Sequence, residues 1–161
     1  MSEQNLEHIV LTTDCSSEAA SRGEVVALNG QEIEALYCFT SEEEVCFCWL
    51  LIRDDTLAYR FFTELAYVSS FESYDKAEFF EELEEYQQEG AVVDLTQQLK
   101  VKGRVISSIR ADSKLGERFI TLDICTQEGL VIRLTDNELN GEGGSTLWIK
   151  LRDETGFQKL L

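Results

Sequence analysis

The chain predicts an α+β fold: antiparallel sheet with two central helices, in the order βββ-αα-ββββ, ending in a C-terminal β-meander able to curl into a barrel-like form. Three observations lead there. Asn29-Gly30, the dipeptide best suited to a tight hairpin turn, sits between two strand-like runs. The middle of the chain changes to helical spacing of its apolar residues. The last third alternates with period two, as in Ile120, Leu122 and Ile124 against Thr121 and Asp123. With 161 residues, 43% of them hydrophobic, there is enough apolar material for a packed core, so a disordered chain is excluded. The absence of proline argues against rigid linkers. A single domain over 1–161 is expected, with 1–90 and 91–161 as candidate lobes divided at Gly90.

In chain order, His8 to Thr13 reads as a short strand, followed by a polar, Ser-rich connection from Asp14 to Gly23. Glu24 to Leu28 and Gln31 to Phe39 flank Asn29-Gly30 and predict a hairpin. Val45 to Arg53, β-branched, aromatic and cysteine-rich, predicts a buried third strand after the acidic turn at 40–44. From Asp55, a candidate N-cap, Leu57, Phe61, Leu65 and Val68 recur at helical spacing and predict a first helix. Tyr74 to Glu89 predicts a second, with Phe79, Phe80, Leu83 and Tyr86 on its apolar stripe and Gly90 as its stop. Ala91 to Leu95 reads as a strand or a linking turn. Val101 to Ala111, Arg118 to Thr126, Leu130 to Thr135 and Thr146 to Arg152 predict the meander, with turns around 113–116, 127–129 and 140–145.

Charge is the most informative property. Residues 1–90 carry 21 Asp and Glu against four Lys and Arg, and residues 91–161 carry ten of each, so the whole net charge of -17 belongs to the first half. Such a surface repels itself on compaction unless a cationic partner meets it. Glu78, Glu81, Glu82, Glu85 and Glu89 follow the spacings i, i+3, i+4, i+7 and i+11, which place them along one side of the second helix. At about 1.5 Å of rise per residue this stripe is roughly 16 Å long. Its charges lie about 5 Å apart along the axis, against about 3.4 Å for phosphates along one DNA strand. Glu42, Glu43, Glu44, Asp54 and Asp55 in neighbouring turns would extend the field. Any solvated helix carries glutamates opposite its apolar stripe. What sets this one apart is the missing counter-charge, since Lys76 is the one cation between Arg60 and Lys100.

These observations point to a non-enzymatic interaction protein. It would bind and block a basic partner, a nucleic-acid-binding enzyme or a toxin, with carboxylates standing in for phosphates in the manner of anti-defence, immunity or antitoxin proteins. Direct nucleic-acid binding and an anionic membrane surface are both disfavoured by charge. No cofactor, metal ion or catalytic residue is expected. His8 is the sole histidine, and no Ser or Cys lies in a nucleophile motif. Cys46 and Cys48 alternate on one strand face with Cys38 on the preceding strand, so three sulfurs would converge, but the spacing is not that of a zinc site. Asp112 to Gly116 lacks the later ligands of a calcium loop, and Gly141 to Gly144 lacks the Lys-Ser/Thr of a phosphate loop. Tyr59, Phe61, Phe62, Tyr67 and Phe71 are core candidates before they are a docking patch. Five scattered cysteines, no basic leader and no apolar run beyond eight residues suit free thiols in a reducing cytosol. The alternative function is a small-ligand-binding β-barrel built from 101–151, its acidity serving solubility. An enzyme using clustered acids and a divalent metal is a third class, without a dedicated motif.

Overall fold

The structure, a computed structural model, describes residues 8–12, 21–41, 44–64, 68–113, 120–136, 145–150 and 156–160. Six strands come first: β1 (His8–Thr12), β2 (Ser21–Val25), β3 (Ile33–Ser41), β4 (Glu44–Ile52), β5 (Leu57–Glu64) and β6 (Val68–Asp75). Then follow α1 (Lys76–Gln88), β7 (Val92–Asp94), β8 (Ile106–Ser113), β9 (Ile120–Thr126), β10 (Val131–Asp136), β11 (Ser145–Lys150) and β12 (Gln158–Lys159). The described fold is mostly antiparallel sheet with a single helix, where the sequence predicts two.

Pairing runs β1-β6-β5-β4-β11-β10-β9-β8-β2, with β3 also on β4, β7 on β3 and β12 on β11. β4 is the branch point: β3 takes one edge, while β5 pairs residues 48–51 and β11 meets Val45 on the other. The path curls until its ends, β1 and β2, run close together and β5 and β6 approach β9 and β10. Inside the curl lies the larger core, with Val25, Leu36, Leu50, Phe61, Phe71, Ile109, Leu122, Ile132 and Leu147 all at most 2% exposed. A second core of Ala35, Trp49, Leu51, Ala58, Phe79 and Leu83 lies under the helix. β4 is therefore buried on both faces, which is why its sequence is a continuous apolar run without alternation.

The predicted first helix is a hairpin. Residues 57 and 61 are four apart, which suits a helix, but four is also even, so the same residues share one face of a strand. Tyr59 and Phe61 belong to the larger core and Ala58 to the smaller one. Aromatic side chains favour this pleated, doubly covered position. Asp55 accepts a hydrogen bond from the backbone N–H of Leu57, as an N-cap would, and a second from the Tyr59 hydroxyl, but it closes the β4–β5 turn instead of starting a helix. Of the five aromatics weighed as a patch, Tyr59, Phe61 and Phe71 are core, Phe62 is half-buried and Tyr67 lies outside the described residues.

The Asn29-Gly30 hairpin is also corrected. A turn forms there, yet among the two only Gly30 takes a positive φ, +84°, so the two-residue hairpin geometry is not adopted. β2 pairs with β8 instead, and Gly30, Gln31 and Ile33 exchange backbone hydrogen bonds with residues 103–106. The turn is a corner that carries the chain from β2, beside β8, to β3, beside β4. β2 also occupies part of the segment read as a polar connection, and 13–20 lies outside the described residues.

The C-terminal meander β8-β9-β10-β11 forms in the predicted order. Its first strand starts later than predicted, because 101–104 turns back through Arg104 N–H to Val101 O at 3.0 Å. Its polar face is not open to solvent throughout. Asp123 is 3% exposed and accepts two hydrogen bonds from Arg133, each 2.8 Å, while the Arg133 guanidinium lies 4.1 Å from the centre of the Phe157 ring. Residues 114–119 and 137–144, and with them Gly141 to Gly144, fall outside the described residues.

Candidate functional site

The candidate site is built on α1. Asp75 caps its start, one residue into the range read as helix, with the carboxylate accepting the Ala77 N–H at 2.7 Å. Its end is set by Gly90 at φ +72°, whose N–H donates to Gln87 O at 3.0 Å. Replacing Asp75 by Ala is expected to cost about 1 kcal/mol, read as a lower denaturant midpoint with unchanged slope.

Phe79 and Leu83 anchor the helix on Ala35, Trp49, Leu51 and Ala58 of the sheet. Tyr86 packs its ring 4.5 Å from that of Phe39, and Phe47 stands edge-on to Trp49 at 4.9 Å. This platform fixes the rotation of α1 and so decides which glutamates face outward. Glu78, Glu81, Glu85 and Glu89 are exposed, as is Glu84. Glu82 is half-buried and accepts a hydrogen bond from the Tyr74 hydroxyl at 3.3 Å. Glu82 thus leaves the predicted stripe and Glu84 joins the outward face, about 60° around the helix from Glu81. Sequence spacing selects one flank of the exposed surface and passes over Glu84.

The neighbouring acids separate. The β4–β5 turn sits at the N-terminal end of the helix, where Lys76 N–H donates to Thr56 O at 3.1 Å. There Asp55 is occupied by Leu57 and Tyr59, and exposed Asp54 lies 3.8 Å from Arg53 Nε. The end of β3 lies at the C-terminal end of the helix, since Thr40 N–H donates to Ala91 O at 2.8 Å. Glu44 is half-buried there, and Glu42 and Glu43 lie outside the described residues.

Three of the four cations of the acidic half, Arg53, Arg60 and Lys76, are engaged by other acids. Arg53 pairs with Glu32 at 3.0 Å, Arg60 with Glu72 at 2.7 Å and Lys76 with Glu34 at 2.9 Å. Each of these three ion pairs is therefore made to a carboxylate outside α1, Glu72 in β6, Glu34 in β3 and Glu32 just before β3. The last helical turn holds no basic residue, so Glu84 and Glu85 stand near the negative end of the helix dipole without compensation.

On its other flank α1 borders a groove of about 560 Å³, floored by Ala35 and Leu51 and rimmed by Tyr37, Phe80, Lys100 and Lys102. Phe80 is 51% exposed, the one large apolar side chain of the helix turned outward. Arg104, close in sequence to Lys100 and Lys102, donates from Nε to Lys100 O at 2.8 Å.

Among the described residues, no three His, Cys, Asp or Glu side chains are grouped to hold a metal ion, and no helix is long and apolar enough to cross a membrane. Only two of the three expected sulfurs meet. A bulge at Cys46 shifts the alternation of β4, so Val45 rather than Cys46 joins Cys48 in the larger core. The described inner face of the meander is filled by Ile109, Leu122, Ile124, Ile132, Leu134 and Leu147.

Burial raises the phenol pKa of Tyr59, helped by its bond to Asp55, and that of Tyr74, helped by the charge of Glu82, both well above the ordinary 10.0. The folded state therefore holds these protons more tightly than the unfolded chain. Their stabilising contribution is complete below about pH 10 and is lost as pH rises toward the folded values. Unfolding midpoints measured from pH 8 to 12 should fall above pH 10, and less steeply in Tyr74→Phe; equal slopes would show that other groups govern alkaline unfolding.

No protein-family model, curated protein or solved structure matches this chain.

Proposed function

We propose that the chain is a non-enzymatic cytoplasmic inhibitor that covers a basic, nucleic-acid-binding surface of a partner protein with the outward face of α1. The observation that carries this reading is the uncompensated placement of Glu78, Glu81, Glu84, Glu85 and Glu89 on a helix anchored by an aromatic platform, while Arg53, Arg60 and Lys76 pair with acids outside that helix. Repulsion between carboxylates three and four residues apart, and carboxylates near the negative end of the dipole, each cost a few tenths of a kcal/mol. A protein that only needed solubility would gain stability by placing lysines in the last turn. Retaining acids there is accounted for by a cationic partner, whose approach the field would accelerate in a salt-dependent way. Competition with nucleic acid is then the mechanism of inhibition.

The test is capture on immobilised chain, in parallel with a chain carrying Glu78→Lys, Glu81→Lys, Glu84→Lys and Glu85→Lys. Basic proteins held by the first and not by the second, released at moderate salt and displaced by added DNA or RNA, are the expected result. The same proteins held by both, or no displacement by nucleic acid, would overturn the reading.

A further inference from the structure

Cys38 and Cys48 face each other across the β3–β4 ladder, both fully buried, with their sulfurs 3.2 Å apart. Their register position also suits a bond. Leu36 and Thr40 direct backbone groups toward β7, Leu36 O accepting from Leu95 N–H and Thr40 N–H donating to Ala91 O. Cys38, midway between them, does the same by the two-residue period of a strand. The Cys38 and Cys48 pair is therefore a non-hydrogen-bonded pair of the β3–β4 ladder, where opposed Cα atoms stand about 4.5 Å apart, inside the span a disulfide bridges.

We propose that Cys38 and Cys48 are an oxidative modification site, closed to a cross-strand disulfide by exchange with a small-molecule disulfide such as glutathione disulfide. One cysteine thiolate attacks a sulfur of glutathione disulfide, forming a mixed disulfide and releasing one glutathione. The second attacks the protein sulfur of that mixed disulfide, forming the Sγ–Sγ bond and releasing another. Two electrons pass from the cysteine pair to glutathione disulfide, and the two thiol protons end on the two glutathione molecules.

Because both sulfurs are enclosed, and burial together with the neighbouring Cys38 keeps the Cys48 thiol protonated, exchange needs the hairpin to open or takes place while the chain folds. The cross-link lies on the face opposite Tyr37, Phe39, Phe47 and Trp49, which hold α1. Oxidation would thus lock the two strands that carry the platform of the helix.

The test is to refold the full chain from denaturant in glutathione buffer, oxidised or reduced, block free thiols with an alkylating agent, and map cross-linked peptides by mass spectrometry. The expected product of oxidising refolding is a chain lighter by two hydrogen atoms, with Cys38 joined to Cys48 and a melting temperature higher by about 5 to 10 °C. Cys46 and Cys125 are half-buried free thiols, so a chain with Cys15→Ser, Cys46→Ser and Cys125→Ser, retaining only the facing pair, guards against mispairing. The same cross-link and shift in that chain, and their loss in Cys48→Ser, support the site. Alkylation of both Cys38 and Cys48 after oxidising refolding to a native circular dichroism spectrum, or a bond through Cys46 in the full chain without a Cys38 to Cys48 bond in the reduced-cysteine chain, overturns it.

Discussion

Reversing Glu78, Glu81, Glu84 and Glu85 together to lysine is expected to weaken binding to the basic partner at least about 100-fold at low ionic strength, and by less as salt screens the field. Most of the loss should fall on the association rate, because exposed charges act at a distance before contact is made. The same four changes should not destabilise the fold. All four side chains are exposed, the like-charge spacings among residues 78, 81, 84 and 85 persist with opposite sign, and the dipole interaction lost at Glu78 in the first turn is offset by the two residues nearest the C-terminus, which turn from opposing the helix dipole to complementing it. A melting temperature equal to or above that of the unmodified chain is therefore the companion result. Glu82→Gln is the control. Glu82 is half-buried against the Tyr74 hydroxyl, so neutralising it should shift stability modestly and leave affinity within a few-fold. Unchanged affinity in the four-fold variant would remove α1 from the interface.

Trp49→Ala should cost about 3 to 5 kcal/mol, a large share of the roughly 5 to 15 kcal/mol that holds a domain together. Trp49 is fully buried in the middle of the platform, its ring 4.9 Å from Phe47, 5.6 Å from Phe79 and 5.9 Å from Tyr86. Removing it opens a cavity beneath the helix that the surrounding aromatics, held by sheet and helix backbone, cannot close. Trp49→Phe should cost far less, since it keeps a ring in place and leaves a smaller cavity. Denaturant unfolding measures both. Hydrogen exchange adds a local readout, because loss of the platform should speed exchange in α1 before it does so in the larger core, where Phe61, Ile109 and Leu122 are untouched. Equal acceleration in both regions would mean that the two cores unfold as one unit and that the platform has no separate role in holding the helix.

Local signals determined part of this protein from the sequence alone. The helix at residues 76–88 was legible because a cap, a run of helix formers and a terminating Gly90 all act within a few residues of one another. Strands β9, β10 and β11 were legible from alternation and intervening turns, and the acidic character of the first half is a matter of composition.

Tertiary structure decided the rest, wherever two readings were locally equal. Residues 57 and 61 satisfy the helical and the strand period alike, and burial between two cores chose the strand. Gly30 can turn a hairpin or a corner, and hydrogen bonds to residues 103–106, remote in sequence, chose the corner. Cys46 shares a face with Cys48 only in an unbroken strand, and the bulge against β3 left Cys38 and Cys48 as the facing pair. Glu82 and Glu84 are equivalent by composition. The packing of Phe79, Leu83 and Tyr86 on the sheet set the helix rotation that turned one toward Tyr74 and the other to solvent, because burial of apolar area is non-directional until a particular partner surface exists to receive it.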